Sequence, residues 1–245
     1  MSINLIRIPD IYYGYGSLKE LRTFKQERIL IVSDKTVWEL FGIKILKYFK
    51  KRETKIFDEI EPDPKDITIQ KGGDIARGFK PDLIVGIGGG SVMDAAKVIY
   101  FLYEREDKTI LDINPLQFFK LGLKSKLVLI PTTSGSGAEM TPAAVVTKTE
   151  TGQKLALPSF ELVASAVIID PRLPSGMPPK LTASTGMDAL THAIEGKTNN
   201  KMNNDFTDAV NLHAIRLLFK YLPAAVGEGA EDKEIREKIH NAASL

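Results

Sequence analysis

The sequence predicts an α/β protein in which a Rossmann-like, doubly wound parallel sheet is followed by an all-helical part. Three observations lead to this prediction. Short apolar runs alternate with amphipathic stretches through the first two thirds of the 245 residues, which is typical of parallel strands joined by crossover helices. Two of these runs lead directly into small polar loops that contain glycine. From Lys180 onward, the sequence has only helical periodicity.

The composition is that of an ordinary globular protein. Hydrophobic residues make up 43%, charged residues make up 26% and the formal net charge is +2, so neither disorder nor a nucleic-acid-binding surface is indicated. There are no cysteines, which excludes disulfides, thiolate zinc sites and thiol nucleophiles. Because no secretory core or membrane-spanning run is evident, we expect a cytoplasmic protein without nucleic-acid or membrane partners.

The first two strand–helix units precede residue 80. The β-branched run 29–33 predicts a strand, and apolar residues at helical spacing predict a helix over 37–50. A second strand is expected over 55–60. It ends at Glu61-Pro62-Asp63-Pro64, where two prolines prevent the ladder from continuing, and a helix is expected over 66–79.

The third strand leads into the first polar loop. Residues 82–87 are almost all apolar, as a strand covered on both faces must be. This strand runs into Gly88-Gly89-Gly90-Ser91, after which a helix is expected over 92–103. A further strand over 127–130 ends at Pro131 and leads into the second polar loop, 132–137.

The remaining elements define a boundary. A last strand over 163–169 is closed by Asp170-Pro171, and the composition then shifts between Pro174 and Pro179. Helices are expected over 180–197, 205–222 and 231–245. We therefore expect an α/β domain over 1–178 and a helical domain that begins at 179.

The glycine turn has the position of a phosphate-binding site. Backbone N–H groups and the positive end of a helix meet where a strand turns into a helix, and glycine lets the backbone approach a pyrophosphate. Gly88-Gly89-Gly90-Ser91 lies at such a turn, although its spacing differs from the common G-x-G-x-x-G. A tight structural turn is the competing interpretation, but the position after a buried strand favours phosphate binding.

Two further features suggest a dinucleotide. Asp34 ends the first strand, where its carboxylate would accept hydrogen bonds from the adenosine ribose and repel a 2′-phosphate, which favours NAD over NADP. The competing interpretation is that Asp34 caps the next helix. Loop 132–137 offers hydroxyl and N–H groups to the same cofactor, or is an ordinary polar surface loop. Because both loops follow strand ends, we expect them to open onto one crevice.

Asp188 and His192 are four residues apart on a predicted helix, so both side chains project from one face. A carboxylate and an imidazole at that spacing can share a divalent ion. A pair of this kind is more often only a hydrogen-bonded helix pair. The other motifs in the chain make a metal role the better interpretation.

Together, these motifs resemble the iron-containing (group III) alcohol dehydrogenase family. Five segments carry the resemblance, nearly from end to end: Tyr13-Gly14-Tyr15-Gly16 with Leu18 and Leu21; Gly88-Gly89-Gly90-Ser91 with Asp94 and Lys97; Pro131 to Glu139; Ile169-Asp170-Pro171; and Asp188 to Glu195. The resemblance implies hydride transfer between an alcohol and NAD, less often NADP, with Fe²⁺ or Zn²⁺ holding the substrate oxygen. Residues 1–178 would then be the dinucleotide-binding domain.

The resemblance also implies roles for individual residues. Asp34 would bind the adenosine ribose, and Asp188 and His192 would be two of the metal ligands. The other cofactor-binding residues would be Gly89, Gly90, Ser91 and Asp94 at the pyrophosphate, Thr132, Thr133 and Ser136 at the nicotinamide side, and Lys154. Many family members have Asn where Asp63 stands, which weakens the expected cofactor contact of that loop.

Family members supply two more histidine ligands from later helices, whereas this chain ends at Leu245. We therefore expect residues 179–245 to be the start of an incomplete all-helical metal-binding domain. The other two histidines, His213 and His240, lack the sequence context of those ligands and are interpreted as surface or packing residues. In the last predicted helix, apolar residues recur at helical spacing up to Leu245, without a glycine or proline stop signal. The sequence therefore predicts a truncated helix.

Two classes of function remain open at this point. The first is an alcohol dehydrogenase acting on a small alcohol or aldehyde, or on a polyol such as glycerol, in a truncated or split form. Such a chain is expected to be a homo-oligomer or to be completed by a second chain. The second is a catalytically inactive nucleotide-binding or assembly module that uses its uncovered apolar helices as an interface.

Overall fold

The computed structural model describes residues 6–199, 201 and 203–245. The chain divides into two compact units. The first contains the N-terminal segment up to Tyr12 together with Lys19–Ile130 and Ala138–Ile168, and the second contains Tyr13–Leu18, Pro131–Gly137 and Ile169–Leu245. The predicted domain boundary after residue 178 stays a prediction. Among the described residues, no helix is long and apolar enough to cross a membrane.

The main sheet is six-stranded and confirms the predicted doubly wound parallel fold. The strands of the described residues, in chain order and including two that lie outside this sheet, are β1 (Asp10–Tyr13), β2 (Arg28–Val32), β3 (Glu53–Phe57), β4 (Leu83–Gly88), β5 (Lys126–Pro131), β6 (Ala143–Thr147), β7 (Lys154–Pro158) and β8 (Ala166–Ile169). The sheet order is β1-β8-β5-β4-β2-β3. Strand β2 is parallel to β3 and β4, and β5 is parallel to β8. Strands β6 and β7 form a separate antiparallel hairpin.

Six α-helices accompany these strands in the part of the chain that the structure describes, and each was expected from the sequence. They are α1 (Lys35–Leu46), α2 (Asp66–Phe79), α3 (Gly90–Glu104), α4 (Pro179–Thr198), α5 (Asp205–Val226) and α6 (Lys233–Ala243). The expected helix over 37–50 ends earlier because the chain tightens into a 3-10 turn at Lys47–Phe49. Helix α6 starts where the side chain of Asp232 accepts a hydrogen bond from the N–H of Ile235.

Apart from one-residue shifts, the strand predictions differ from the structure in four places. The second strand is shifted to Glu53–Phe57, and the last one is limited to Ala166–Ile169. Strand β1 and the β6–β7 hairpin were not predicted. Strand β1 has only four residues, and they are mostly exposed.

Strand β4 and helix α3 form the centre of the first unit. Every residue of β4 is buried, and most of α3 is buried as well. A Cβ atom on Gly86 would lie 2.7 Å from the Cβ of Ala96 and 2.8 Å from a methyl carbon of Leu129. The helix therefore packs directly on the strand, which requires glycine at this position.

Helices α4, α5 and α6 share the core of the second unit, which includes Leu190, Leu218, Leu222 and Ile239. Asp170 forms a polar anchor in the same unit. Its fully buried carboxylate accepts hydrogen bonds from the backbone N–H groups of Gly16 and Leu18 and from the side chain of Arg172. The segment around Tyr15 is thereby attached to the end of β8.

Candidate functional site

The turn between β4 and α3 has the geometry of an anion-binding helix start. Gly89 is the N-cap residue of α3 in an extended conformation, and it has no side chain to cap the N–H groups of the first helical turn. No acidic residue lies in that turn. A Cβ atom on Gly88 would lie 2.5 Å from the Cβ of Val92, so strand and helix approach closely here. The backbone donors of this turn suit a phosphate group.

Ser91 and Lys154, both expected at the cofactor, are linked through Asp63. The N–H of Asp63 donates to Ser91 Oγ at 3.3 Å, and Lys154 Nζ lies 2.6 Å from Asp63 Oδ1. The side chains of Lys154 and Asp63 are 59% and 65% exposed. The structure thus brings a cation, a carboxylate and a hydroxyl together beside the first turn of α3.

Asp94 faces the β6–β7 hairpin and the buried Lys97. Its Oδ2 accepts a hydrogen bond from the N–H of Val145 at 2.9 Å, and its Oδ1 lies 3.9 Å from Lys97 Nζ. Burial raises the pKa of Asp94 to about 6, although Lys97 and the Val145 N–H act in the opposite direction. In this structure Asp94 fastens α3 to the hairpin, and its expected cofactor role stays a prediction.

Lys97 is fully buried and was given no role in the sequence interpretation. Its ammonium group donates to the carbonyl oxygens of Ala138, Thr141 and Ala143, at distances from 2.5 to 2.9 Å, and lies 2.9 Å from the hydroxyl of Thr141. Burial lowers the pKa of Lys97 to about 8, against the opposing effects of Asp94 and Glu139. The spacing of three residues from Asp94 was a signal that both share a helix face.

Asp34 caps α1, as the competing interpretation proposed. Its Oδ1 accepts a hydrogen bond from the N–H of Val37 at 2.9 Å. Asp34 also stands at the C-terminal end of β2, as a ribose-binding carboxylate would. The two roles are compatible because a carboxylate can accept several hydrogen bonds.

The Pro131–Gly137 loop belongs to the second unit and contains Thr132, Thr133 and Ser136. Thr132 is buried, whereas Thr133 and Ser136 are partly exposed. Ser134 Oγ, in the same loop, lies 3.0 Å from His240 Nδ1. His240 was expected at the surface or in simple packing, and the structure shows a fully buried side chain with this specific polar partner.

Asp188 and His192 lie on α4, as predicted. His192 Nε2 is 3.7 Å from Asp188 Oδ1, and the two side chains are about half exposed. A carboxylate and an imidazole at this distance are a donor set that fits a divalent ion. Within residues 6–199, 201 and 203–245, no cluster of three or more His, Cys, Asp or Glu side chains is arranged to hold a metal ion. His213, on α5, is exposed, as expected.

The expected site residues therefore lie in both units. Asp34, Gly89, Gly90, Ser91, Asp94 and Lys154 belong to the first unit, and Thr132, Thr133, Ser136, Asp188 and His192 belong to the second. Within the first unit, Ser91 and Lys154 come together through Asp63, while Asp94 lies with Lys97. Within the second, the two residues expected to bind a metal share one helix face.

Comparison with known protein families gives two matches in chain order. Residues 9–171 match the model of iron-containing alcohol dehydrogenase, and residues 182–245 match the C-terminal model of the Fe-containing alcohol dehydrogenase family. Among curated proteins, the chain is 41% identical over 241 residues to an NADPH-dependent butanol dehydrogenase of Clostridium saccharobutylicum. That match covers 96% of this chain and 61% of the relative, so the chain spans about three fifths of that protein's length.

Solved structures agree with this result. A 1,3-propanediol oxidoreductase matches with a TM-score of 0.89 and 32% identity, over 97% of this chain and 63% of that one. A sulfoacetaldehyde reductase from Bifidobacterium kashiwanohense, solved in complex with NAD⁺, matches with a TM-score of 0.89 and 29% identity, over 100% of this chain and 65% of that one. The chain belongs to the iron-containing alcohol dehydrogenase family.

Proposed function

We propose that this chain binds NAD and a divalent metal ion, Fe²⁺ or Zn²⁺, and serves the interconversion of a small alcohol and its aldehyde or ketone. The main support is the glycine turn between the buried strand β4 and helix α3, where Gly89 leaves the first N–H groups of the helix uncapped by a side chain. Such donors suit a pyrophosphate. Relatives described as acting on butanol and on propanediol support an alcohol as substrate.

The preference for NAD rests on Asp34. Its carboxylate stands at the end of β2, where it would accept hydrogen bonds from ribose hydroxyls and repel a 2′-phosphate. One relative is described as NADPH-dependent, and one solved neighbour was bound to NAD⁺. We expect NAD to bind more tightly than NADP, which parallel calorimetric titrations of the two would test.

Asp188 and His192 would hold the metal together with ligands from outside this pair. Their donor chemistry fits Fe²⁺ or Zn²⁺, and their half-exposed position leaves room for such ligands. When bound, a metal of this kind supplies Lewis-acid stabilisation of a substrate oxygen. The part played by the chain is to orient the carboxylate and the imidazole on one face of α4.

One experiment on the purified chain tests this function. The chain is reconstituted anaerobically with Fe(II) or Zn(II), and metal content, NAD binding and NAD-dependent oxidation of 1-butanol are measured on the same sample. Bound metal with turnover would support the whole proposal. NAD binding without metal or turnover would favour a catalytically inactive nucleotide-binding module. The absence of NAD binding would contradict both the proposed function and that module, and it would leave only the assembly interpretation. A homo-oligomer and a cytoplasmic location stay predictions.

A further inference from the structure

His240 lies on α6, 106 residues after Ser134, and is joined to it by a buried hydrogen bond. The distance from His240 Nδ1 to Ser134 Oγ is 3.0 Å, and the imidazole has no exposed surface. Ser134 lies in the Pro131–Gly137 loop between Thr133 and Ser136, two of the residues expected at the nicotinamide side of the cofactor. The partner of this loop is thus a titratable side chain from a distant helix of the same unit.

The same loop is held by two close backbone approaches. A Cβ atom on Gly135 would lie 2.8 Å from the Cβ of Thr185 on α4. Gly137 has a positive φ of 59°, and a Cβ there would lie 2.9 Å from the carbonyl oxygen of Ala243 on α6. Both glycines let a helix approach the loop more closely than any other residue would. The hydrogen bond between Ser134 and His240 therefore adds a polar contact to a loop already packed between α4 and α6.

Packing alone does not account for a histidine at this position. Ile239 and Ala242, its neighbours on α6, belong to the hydrophobic core of the unit. Among the described residues, His240 Nε2 has no hydrogen-bond partner, and burial of an unpartnered nitrogen is unfavourable. An aliphatic side chain would fill the same space without that cost. What the imidazole contributes, and an aliphatic side chain would not, is the bond to Ser134.

The protonation state of His240 suits a defined hydrogen bond. Burial lowers its pKa to about 4, against the opposing effect of the Asp170 carboxylate. The ring is therefore neutral near pH 7, and Nδ1 either accepts from or donates to Ser134 Oγ in one tautomer. In either case the hydrogen bond holds Ser134 Oγ in one position.

We propose that His240 is a positioning residue that fixes the Pro131–Gly137 loop through Ser134, so that Thr132, Thr133 and Ser136 present their hydroxyl groups to the cofactor in a single arrangement. This inference rests on the proposed function, because it assigns those hydroxyls to NAD. His240 itself acts through Ser134 and has no contact with the cofactor in this proposal. Without the bond, the loop would have to be ordered when NAD binds, and the affinity would fall.

The test is a double-mutant cycle read out by NAD binding in calorimetry at pH 7.5. The variants are His240→Leu, Ser134→Ala and the double variant. Each single substitution should raise the Kd for NAD by about tenfold, and the double variant should be no worse than either, because both remove the same bond. His240→Asn is the conservative variant. Its amide can occupy the position of Nδ1, so its Kd should stay within about twofold of that of the unchanged chain.

Ile239→Val is the matched control, because Ile239 is the buried neighbour of His240 on α6. It should lower Tm without changing the Kd. The inference is overturned if His240→Leu lowers only Tm and binds NAD like the unchanged chain, or if the two single effects simply add. If the unchanged chain binds no NAD, the proposed function is contradicted and this inference fails with it. If the unchanged chain binds NAD and the variants bind it equally well, only this inference is contradicted.

Discussion

The carboxylate of Asp63 lies beside the ammonium group of Lys154, one of the residues expected to bind the cofactor. Both side chains are more than half exposed, so the ion pair contributes no more than about 1 kcal/mol to stability. The Asp63 carboxylate also has an electrostatic effect on an anionic ligand. The carboxylate offsets the positive charge of Lys154 and would repel the phosphates of a dinucleotide bound at the neighbouring turn.

We therefore predict that Asp63→Asn lowers the Kd for NAD by about two- to tenfold, the scale of one surface charge at short range. Asparagine is well tolerated at the positive φ of 55° found at this position, so the loop should keep its conformation. Calorimetry measures the change. The matched control is Glu150→Gln, which removes the same charge from the exposed pair that Glu150 forms with Lys148. Equal affinities in both variants would contradict the prediction.

The pKa of His240 predicts a pH dependence of stability. Its value in the folded chain, about 4, lies below its ordinary value of 6.5. Between these values the unfolded chain binds more protons than the folded chain. The contribution of His240 to the free energy of unfolding is therefore complete above pH 6.5 and is lost as the pH falls towards 4. The shift corresponds to about 3 kcal/mol.

His240→Asn should remove this dependence while keeping the bond to Ser134. Asp94, whose pKa is raised to about 6, titrates in the same range with the opposite sign, so the relevant quantity is the difference between the two chains. Denaturant unfolding at pH 4.5 and pH 7 measures it. The original chain should lose more free energy of unfolding than the variant on acidification, and equal losses would contradict the assignment.

The role of His240 could not be predicted from the sequence. The hydrogen bond joins residues that are 106 positions apart, and neither has a local pattern that indicates the other. Asp188 and His192 differ in this respect. Helical spacing alone placed them on one face, and the structure has their side chains 3.7 Å apart.

At the scale of elements, the buried Lys97 fastens α3 to the segment that leads into β6. Its ammonium group supplies hydrogen bonds to three backbone carbonyl oxygens, and Asp94 on the same helix accepts from the N–H of Val145 in β6. These contacts join the helix behind the glycine turn to the β6–β7 hairpin. Since Lys154 is the first residue of β7, the hairpin also carries one of the expected cofactor residues.

Lys97→Met should lower the free energy of unfolding by about 3 kcal/mol, because it removes the hydrogen bonds that the buried ammonium group donates to three backbone carbonyl oxygens. The control is Lys71→Met. Lys71 makes an exposed ion pair with Glu59 on the surface, so its replacement should cost less than about 1 kcal/mol. Urea denaturation of the three chains measures both effects. A stability of Lys97→Met within 1 kcal/mol of that of Lys71→Met would show that the buried contacts contribute little.

Elements with strong periodicity were predictable, and those held by tertiary contacts were not. The apolar run of β4 and the helical spacing of apolar residues in α1 identified these elements from the sequence alone. Strand β1 and the β6–β7 hairpin escaped prediction, since these strands have only four or five residues each and few of those residues are buried. The sheet pairing of β1 is supplied by β8, which is distant in the chain.

At the scale of the whole molecule, the chain belongs to the iron-containing alcohol dehydrogenase family, and we propose that it binds a dinucleotide. The family models cover residues 9–171 and 182–245, and the chain spans 61% of the butanol dehydrogenase to which it is similar. The fold class and the order of the motifs were predictable. The metal, the cofactor and the substrate are proposals that depend on binding experiments.

NAD binding by the unchanged chain and by Ser91→Asp is the measurement that tests this account most directly. Ser91 lies in the first turn of α3, where an acidic side chain stabilises the helix by about 0.3–1 kcal/mol and would repel a pyrophosphate. Ser91→Ala serves as the uncharged control.

We expect calorimetry to detect NAD binding to the unchanged chain. Ser91→Asp should raise the Kd more than about tenfold, which corresponds to about 1.4 kcal/mol, while its Tm stays equal or rises. Ser91→Ala should have a much smaller effect. If the unchanged chain binds no NAD, or if Ser91→Asp binds it as tightly, the turn between β4 and α3 is not the pyrophosphate site and the account is contradicted.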